Sequence, residues 1–410
     1  MDIKITSAKL NGNVRVCTSK SEAHRLIICS LLSFGKTKIM CSDVSVDIAA
    51  TIDCIRALGA KADITDEYIL VNSSDGINSA AVLNCKESGS TLRFFIPVAC
   101  ALGVETEFCG EGRLPERTNA PLIKELSKKN CRFDREDGLP LNVTGKLSGG
   151  TYEIPGNISS QYISGLLFAL PILESDSVIK IIGKIESKPY IDLTIKALET
   201  FGIKIDFDID KGVINISGNQ KYKTPGVVNV NGDWSNGAFW LSLGAIDGNS
   251  VVCDNLDRKN LQGDAKIVEL IARLKGAESG DSVTINAKQI PDLVPVISVV
   301  AASRIGTTVI CGAERLRIKE SNRIESTVAM ITSLGGTAFE TDDGLYIDGS
   351  GVLTGGTVET YNDHRIAMSA AVAASICKND VIIKNAQCVN KSYPAFFDVY
   401  ESIGGVLERS

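Results

Sequence analysis

The chain has 410 residues and a net charge of −6 at pH 7, with 44% hydrophobic and 22% charged residues. This length exceeds what one hydrophobic core usually supports, so we expect two domains. The acidic balance argues against a nucleic-acid or anionic-membrane partner. No stretch approaches the roughly 18 uninterrupted apolar residues of a membrane span, and the first residues lack the apolar region of a signal peptide.

Twelve cysteines and two histidines are the residues that could form a soft-metal site. None of the cysteines forms a Cys-x-x-Cys pair, and most lie in apolar runs, where cysteine acts as a small buried hydrophobic residue. Without a secretion signal, we expect reduced thiols in a cytoplasmic protein, with neither a disulfide framework nor a zinc site.

Six segments share a helical pattern that ends at a glycine or an asparagine and leads into a short, alternating, strand-like stretch. Apolar residues at i, i+3 or i+4 predict the helix, and the end residue is of the type that leaves a helix through the left-handed conformation. A recurrence of about 70 residues indicates one supersecondary unit used six times. The end residues are Gly59, Asn130, Gly202, Gly276, Gly335 and Gly404.

Polar residues precede an apolar run at a matching place in each repeat. They predict helix N-termini, whose unpaired N–H groups and partial positive charge attract phosphates and carboxylates. Capping explains each start taken singly, but six in register predict a common anion-binding surface. We expect Asp292, with prolines at 291 and 295, to be an N-cap. The six starts lie at 19–22, 88–91, 159–161, 233–236, 291–295 and 362–365.

A change of composition near residues 226–232 marks an expected crossing between two domains, and a second crossing is expected near Thr18. We therefore predict one domain of residues 19–230 and another of residues 1–18 plus 231–410. Each would hold three repeats, with a cleft between the two domains.

Residues 317–323, Arg-Ile-Lys-Glu-Ser-Asn-Arg, form a dense group of cations in an acidic chain. Lys319 and Arg323 are four residues apart, which predicts a shared helix face, and Glu320 forms an i, i+3 pair with Arg323. A solvated charged face is the ordinary explanation of an isolated run of this kind. The similar signals elsewhere in the chain favour a site for a small, multiply charged anion.

Cations collect near the predicted helix starts, and we take Asp292 and Glu320 as the two candidate acid–base carboxylates among the motif residues. Many cations with two acids predict polyanionic substrates and proton transfer to and from carbon or oxygen. There is no Walker loop, nucleophile elbow or metal triad, so we expect neither a metal ion nor a cofactor. The cations are Lys20, Arg25, Arg93, Arg113, Arg117, Lys319, Arg323, Arg365 and Lys391.

Nine short motifs stand in the order and spacing of one enzyme family. They are Lys20-Ser-Glu-Ala-His-Arg25, Glu87-Ser-Gly-Ser-Thr-Leu-Arg93, Gly112-Arg-Leu-Pro-Glu-Arg117, Ser159-Ser-Gln161, Ser187-Lys-Pro-Tyr190, Ile290-Pro-Asp292, Arg317-Ile-Lys-Glu-Ser-Asn-Arg323, Asn362-Asp-His-Arg365 and Asn390-Lys-Ser-Tyr-Pro394. The chain resembles the 5-enolpyruvylshikimate-3-phosphate (EPSP) synthase family from its first strand to its last helix. The resemblance implies an α/β fold of two similar domains, each an inside-out α/β barrel of three βαβαββ repeats, with the active site in the interdomain cleft.

The resemblance also implies the substrates, shikimate 3-phosphate and phosphoenolpyruvate, in the pathway to chorismate and the aromatic amino acids. It implies a monomer without a cofactor, and glyphosate is the family's competitor for the phosphoenolpyruvate pocket. The implied shikimate 3-phosphate site comprises Lys20, Ser21, Arg25, Ser159, Ser160, Gln161, Ser187, Tyr190, Asp292 and Lys319. The implied phosphoenolpyruvate site comprises Lys20, Gly89, Ser90, Arg117, Gln161, Glu320, Arg323, Arg365 and Lys391.

The family reaction is an addition followed by an elimination, which implies an acid and a base. We assign Asp292 to the substrate hydroxyl and Glu320 to the methyl carbon, with Lys20 or Lys391 assisting proton delivery or the departure of phosphate. At Arg315 many family members have asparagine, and Asn322 replaces the usual aspartate.

Two other functions remain open at this point. A UDP-N-acetylglucosamine enolpyruvyl transferase shares the repeats, but it carries Lys-Asn near its start and a cysteine in a Pro-Gly-Gly-Cys loop. Here Ser21 follows Lys20, and residues 113–117 contain no cysteine. A non-catalytic, anion-binding descendant is the second alternative, and the retained lysines and carboxylates argue against it.

Overall fold

The computed structural model describes residues 1–410 and divides into two compact units. One unit is Lys20–Val230, and the other combines Met1–Ser19 with Asn231–Ser410. Each unit has its own cluster of buried hydrophobic residues. All twelve cysteines are free thiols. No helix combines the length and the apolar character that crossing a membrane requires.

The chain contains 22 strands and 12 α-helices. The strands are β1 (Ile3–Thr6), β2 (Asn11–Val14), β3 (Lys36–Met40), β4 (Lys61–Ile64), β5 (Tyr68–Asn72), β6 (Ala80–Asn84), β7 (Glu105–Cys109), β8 (Cys131–Phe133), β9 (Leu141–Gly145), β10 (Gly150–Pro155), β11 (Ser177–Ile182), β12 (Asp206–Asp208), β13 (Val213–Ile216), β14 (Val227–Asn229), β15 (Ser250–Cys253), β16 (Val283–Asn286), β17 (Ile305–Cys311), β18 (Thr337–Thr341), β19 (Gly344–Ser350), β20 (Gly356–Glu359), β21 (Val381–Lys384) and β22 (Val406–Arg409). The helices are α1 (Lys20–Leu32), α2 (Val46–Ala57), α3 (Gly89–Leu102), α4 (Ala120–Ser127), α5 (Ser160–Ala169), α6 (Lys188–Thr200), α7 (Trp234–Ala245), α8 (Ile267–Gly276), α9 (Val294–Ala302), α10 (Arg323–Ser333), α11 (His364–Ala373) and α12 (Phe396–Ser402).

The unit Lys20–Val230 contains three sheets of identical topology. Their strand orders are β14-β3-β5-β4, β6-β7-β9-β8 and β10-β11-β13-β12. In each, the first two strands are parallel and the remaining pairs are antiparallel. This is the predicted βαβαββ repeat, and the first copy takes its outer parallel strand, β14, from the end of the unit.

Helices α1, α3 and α5 lie inside this unit, with the sheets around them. Helix α3 buries 12 of its 14 residues, and α5 buries nine of ten. After their polar first turns, α3 and α5 are apolar on nearly all sides, which suits a helix surrounded by protein. Helices α2, α4 and α6 bury one face each, so every repeat has one inner and one outer helix.

The second unit has two four-stranded sheets of the same topology and one smaller sheet. The strand orders are β16-β17-β19-β18, β20-β21-β1-β22 and the parallel pair β15-β2. The inner helices are α7, α9 and α11, and all ten residues of α11 are buried. The α/β class is therefore confirmed, and two of the three repeats predicted for this unit have the complete sheet.

The fourth repeat is shorter than predicted. Only six residues, 277–282, separate the end of α8 from β16. They read Ala-Glu-Ser-Gly-Asp-Ser, too few and too polar to form the antiparallel pair present in the other five repeats. The spacing between Gly276 and Gly335 is accordingly the shortest in the series.

Several predicted helix starts are N-caps of the inner helices. The side chains of Ser88, Ser159, Asp233 and Asp363 accept hydrogen bonds from backbone N–H groups of α3, α5, α7 and α11. The prediction for Asp292 is wrong, because it lies within a short 3-10 helix, Pro291–Leu293, and makes no side-chain cap. Its carboxylate contacts arginines instead.

The predicted helix through Lys319 and Arg323 is also wrong. A 3-10 helix, Glu314–Ile318, ends before Lys319, whose backbone is extended. Helix α10 begins afresh at Arg323, and Asn322 is its N-cap. The asparagine in place of aspartate therefore keeps a capping oxygen.

Candidate functional site

Lys20 is the first residue of α1, where it meets a carboxylate from α2. Its Nζ donates a hydrogen bond to Asp47 Oδ2 at 3.0 Å, and both side chains are largely buried. The contact orients the ammonium group at the helix N-terminus, beside Ser21. Asp47 was not identified from the sequence, where it is one of several acids in a polar stretch.

Arg25 is a buried cation held by neutral acceptors. It donates from Nη1 to the Ser21 carbonyl at 2.7 Å, from Nη2 to the Tyr190 carbonyl at 2.8 Å, and from Nε to Thr194 Oγ1 at 2.9 Å. No carboxylate lies at ion-pair distance, and burial lowers the pKa of the guanidinium to about 10. An anion that reaches this position would gain a charge-assisted contact without displacing a protein carboxylate.

Ser187 and Tyr190 stand at the beginning of α6. Ser187 is buried and has φ 55°, a left-handed conformation that costs a serine roughly 1 kcal/mol or more. Tyr190 is half-buried and therefore not a core residue, and its ring lies 6.0 Å from the Arg25 guanidinium. Strained backbone of this kind clusters at functional sites.

Gly89 and Arg117 are in close contact at the N-terminus of α3. A Cβ atom at Gly89 would lie 2.8 Å from both terminal nitrogens of Arg117, so only glycine allows the guanidinium to lie there. Arg117 is 7% exposed. The helix N-terminus and this arginine together provide a positively charged position next to Ser90.

Arg93 links the second and third repeats through Gln161. Its Nη1 donates to Gln161 Oε1 at 2.8 Å, and Gln161 Nε2 donates to Ser90 Oγ at 2.9 Å. Arg93 also donates to Asn119 Oδ1 and to the Thr118 carbonyl. The sequence showed Arg93 near a helix start but not that it orients Gln161. Ser159 and Ser160 precede Gln161 at the start of α5.

In the second unit, Arg323 is the centre of a cluster of carboxylates. It is 1% exposed and donates to Asp292 Oδ1, Glu320 Oε2 and Asp363 Oδ2, each at 2.7 Å. The three carboxylates occupy most of its donors and raise the pKa of the guanidinium despite its burial. Arg323 thereby fixes both carboxylates that were predicted to transfer protons.

Asp292 also contacts Arg365. One carboxylate oxygen lies 3.4 Å from Arg365 Nη2, and Arg365 Nη1 donates to the Asp292 carbonyl at 3.2 Å. Burial would raise the pKa of Asp292, but Arg365, Lys319 and Arg323 outweigh it and hold that pKa well below its usual range. The Asp292 carboxylate is therefore ionised and can accept a proton.

Lys319 and Lys391 complete the second group. Burial lowers the pKa of the Lys319 ammonium to about 8, although Asp292 and Glu320 oppose the shift. Lys391 Nζ donates to the Asn362 carbonyl at 2.7 Å. Asn362 has φ 58°, so Lys391 holds a left-handed turn directly before the N-cap of α11.

The predicted site residues thus fall into two groups, one in each unit, and many of them lie at or next to helix N-termini. The groups contain no cluster of histidine, cysteine, aspartate or glutamate residues that could hold a metal ion. The unit Lys20–Val230 holds Lys20, Ser21, Arg25, Gly89, Ser90, Arg117, Ser159, Ser160, Gln161, Ser187 and Tyr190. The other unit holds Asp292, Lys319, Glu320, Arg323, Arg365 and Lys391.

Residues 5–400 match the sequence profile of a family described as EPSP synthase (3-phosphoshikimate 1-carboxyvinyltransferase). The chain belongs to the EPSP synthase family. A 3-phosphoshikimate 1-carboxyvinyltransferase of Clostridium perfringens is 41% identical over 98% of both chains. One of Clostridioides difficile is 40% identical over 99% of this chain and 98% of its own.

The fold is that of solved EPSP synthase structures. An EPSP synthase of Acinetobacter baumannii superposes with a TM-score of 0.83 over the whole of both chains, at 22% sequence identity. As a member of the EPSP synthase family, the chain is a transferase that carries out the enolpyruvyl transfer step of the shikimate pathway. The alternative reaction on a UDP-sugar is not favoured.

Proposed function

We propose that this protein transfers the enolpyruvyl group of phosphoenolpyruvate to the 5-hydroxyl of shikimate 3-phosphate and that the two groups of residues described above carry out the reaction. The observation that carries the proposal is the cluster around Arg323, which fixes Asp292 and Glu320 beside several cations. Two carboxylates held among cations suit two opposed proton transfers on anionic substrates. The proposal requires that both groups contact the same pair of substrates.

Shikimate 3-phosphate would bind to residues of three helix N-termini in the first unit. Arg25, which has no carboxylate partner, offers charge, and the starts of α5 and α6 offer N–H groups and hydroxyls. Asp292 and Lys319 would contact the hydroxyls of the ring. The proposed residues are Lys20, Ser21, Arg25, Ser159, Ser160, Gln161, Ser187, Tyr190, Asp292 and Lys319.

Phosphoenolpyruvate would bind to cations of both units. The close contact of Gly89 with Arg117 and the hydrogen bond from Gln161 to Ser90 support this part of the proposal. Arg323 would act mainly through its charge, because carboxylates occupy most of its donors. The proposed residues are Lys20, Gly89, Ser90, Arg117, Gln161, Glu320, Arg323, Arg365 and Lys391.

In the reaction, the 5-hydroxyl attacks C2 of phosphoenolpyruvate while C3 takes a proton, and the tetrahedral intermediate then loses phosphate and a methyl proton. Asp292 would accept the hydroxyl proton, because its carboxylate is ionised. Glu320 would serve the methyl carbon, and Lys20 or Lys391 would assist proton delivery or the departure of phosphate. Helix N-termini and fixed cations stabilise the moving charge without reorganising.

The test is release of inorganic phosphate from the purified protein with both substrates, against controls that lack either one. The proposal expects release only when both are present, and no release with both would refute it. An Asp292→Asn variant keeps the shape of the side chain. Its turnover should fall by about 10²-fold or more, the usual share of a catalytic acid or base, with a smaller change in either KM.

Action in the cytoplasm, as a monomer and without a nucleic-acid partner, is also part of the proposal. The net charge of −6 supports the absence of a nucleic-acid partner. Sedimentation equilibrium at working concentrations tests the monomer, and a mass near twice 43.7 kDa would contradict it.

A further inference from the structure

A chain of buried hydrogen bonds joins the first three helices of the unit Lys20–Val230. His24 Nδ1 on α1 lies 2.7 Å from Thr51 Oγ1 on α2, which lies 2.7 Å from Thr91 Oγ1 on α3. Thr91 Oγ1 in turn donates to Ser88 Oγ at 2.7 Å. None of the four side chains is more than 1% exposed. We call these four residues the His24–Ser88 chain.

The hydrogen bonds of the His24–Ser88 chain can run in one direction only. Because the Thr91 hydroxyl donates to Ser88, its oxygen must accept the hydrogen of Thr51. The oxygen of Thr51 must then accept from Nδ1–H of His24, since a hydroxyl has one hydrogen to give. His24 is therefore the Nδ1–H tautomer, and its buried Nε2 carries a lone pair.

The His24 ring is neutral. Burial, followed by the charges of Lys20 and Arg25, holds the pKa of His24 well below its usual range. The His24–Ser88 chain is thus made of uncharged donors and acceptors, and its geometry does not change with the protonation of a member near neutral pH. It suits a fixed positioning role better than a proton-transfer role.

The two ends of the His24–Ser88 chain lie at proposed phosphoenolpyruvate contacts. His24 is one helical turn after Lys20 on α1, and Ser88 is the N-cap of α3, directly before Gly89 and Ser90. On α2, Thr51 is one turn after Asp47, the partner of Lys20. The ion pair and the hydroxyl chain therefore join the same helices at successive turns.

We propose that the His24–Ser88 chain is a positioning device that fixes the N-terminus of α3 relative to Lys20 and thereby sets the affinity for phosphoenolpyruvate. This inference rests on the proposed function, which assigns Gly89 and Ser90 at the start of α3 to that substrate alone and Lys20 to both substrates. The four residues act through others and do not touch the substrate. Residues proposed for shikimate 3-phosphate at α5 and α6 are not members of the chain.

The direct test is Thr51→Val, which keeps the shape of the side chain and removes both hydrogen bonds in the middle of the chain. The KM for phosphoenolpyruvate should rise about fivefold to tenfold, the effect of one net hydrogen bond. The KM for shikimate 3-phosphate should stay within about twofold. Thr51→Ser keeps the hydroxyl and should restore the phosphoenolpyruvate KM even though it removes a buried methyl group.

Thr106→Val is the matched control for a general loss of stability. Thr106 is buried in β7 of the same unit, and its hydroxyl donates to the Val104 carbonyl at 3.0 Å. This variant should lower Tm and leave the phosphoenolpyruvate KM unchanged. If Thr51→Val also lowers Tm without moving that KM, the chain is only structural and the proposal is overturned.

A second readout does not depend on activity. His24 and His364 are the two histidines of the chain, so ¹⁵N spectra of histidine-labelled protein resolve each ring. His24 should show a protonated Nδ1 and an unprotonated Nε2, and Thr51→Val should shift its signals without moving those of His364. The Nε2–H tautomer in the wild type would overturn the deduced direction of the chain. Absence of phosphate release in the wild type would instead refute the proposed function.

Discussion

Asp363 Oδ2 accepts a hydrogen bond from Arg323 Nε at 2.7 Å, and both side chains are almost completely buried. The same carboxylate accepts the backbone N–H of Arg365 as the N-cap of α11 and the hydroxyl of Ser321. One buried acid therefore fixes Arg323 and the start of the helix that carries Arg365. Asp292 and Glu320 are fixed in turn, because both bind Arg323.

Asp363→Asn should reduce both stability and catalysis. Asparagine caps a helix about as well as aspartate, so the change mainly removes a charge from a buried ion pair. The free energy of unfolding should fall by about 3 kcal/mol, the usual cost of breaking such a pair. Misplacement of Arg323 should lower kcat/KM for phosphoenolpyruvate by about 10²-fold. Urea unfolding and steady-state kinetics measure the two effects.

Asp53→Asn provides the control for Asp363→Asn. Asp53 pairs with Arg56 on the surface of α2, where its side chain is 63% exposed. An exposed pair of this kind contributes little, so neither stability nor kcat/KM should change measurably. Indistinguishable results for the two variants would show that Asp363 does not position Arg323.

Gly89→Ala should change substrate affinity without weakening the fold. The new methyl group would lie 2.8 Å from the terminal nitrogens of Arg117, at the flexible end of that side chain. Arg117 can move away at small cost, so Tm should change little. The KM for phosphoenolpyruvate should rise by about tenfold, since the displaced guanidinium loses part of a charge-assisted contact worth roughly 1.5–3 kcal/mol.

The control for Gly89→Ala is Gly276→Ala at the end of α8, where a methyl group would meet no atom within 4 Å. This variant should match the wild type in both Tm and KM. A fall in Tm for Gly89→Ala, with the KM unchanged, would mean that α3 moves rather than Arg117.

The inner helices and their polar starts could be predicted from the sequence because their signals are local. A serine or aspartate before an apolar run needs only a few residues to be recognised, as at Ser88 and Asp233. Asp363 could not be assigned in this way. Its partner Arg323 is 40 positions away, and only the packing of α10 against α11 brings the two together.

The helix predicted through Lys319 and Arg323 shows why the spacing of charges gave a wrong result. An i, i+4 pair favours a helix, but Asn322 directly before an apolar run is also a helix-start signal, and the capping bond to Glu325 N prevails. Because α10 begins only at Arg323, Glu320 accepts its hydrogen bond from Arg323 while lying in the segment before the helix. Asp47 was missed for a similar reason, because its ion pair with Lys20 joins two helices.

The lowered pKa of Lys319 predicts a pH dependence of substrate capture. Below pH about 8 the ammonium is charged and can attract an anionic substrate, and above it the charge is lost. The value of kcat/KM for shikimate 3-phosphate should therefore fall above pH about 8. A phosphate ester loses its second proton near pH about 6, so the substrate does not explain this fall. In Lys319→Arg the fall should move to much higher pH, and an unmoved profile would assign the ionisation to another group.

Asp264→Asn should stabilise the protein near neutral pH. Asp264 is 4% exposed, accepts the hydroxyl of Ser235, and lies near Asp292 and Asp233. Burial, and then the charge of Asp292, raises the pKa of Asp264 to about 6, whereas 3.8 is the ordinary value. The folded protein therefore binds this proton more tightly than the unfolded chain. The stability that binding of this proton contributes is complete below pH about 4, and it is lost as the pH rises through about 6.

Asparagine resembles the protonated carboxyl at every pH, so it avoids this loss. The free energy of unfolding of Asp264→Asn, relative to the wild type, should increase by up to about 3 kcal/mol between pH 4 and pH 7. Urea unfolding at both pH values measures the difference, and any pH-independent cost of the substitution cancels. Asp247→Asn, at a side chain that is 98% exposed, should show no such change. A difference for Asp264→Asn that stays constant with pH would mean that the Asp264 carboxylate remains ionised in the folded protein, because its neighbour Arg365 then outweighs burial and Asp292.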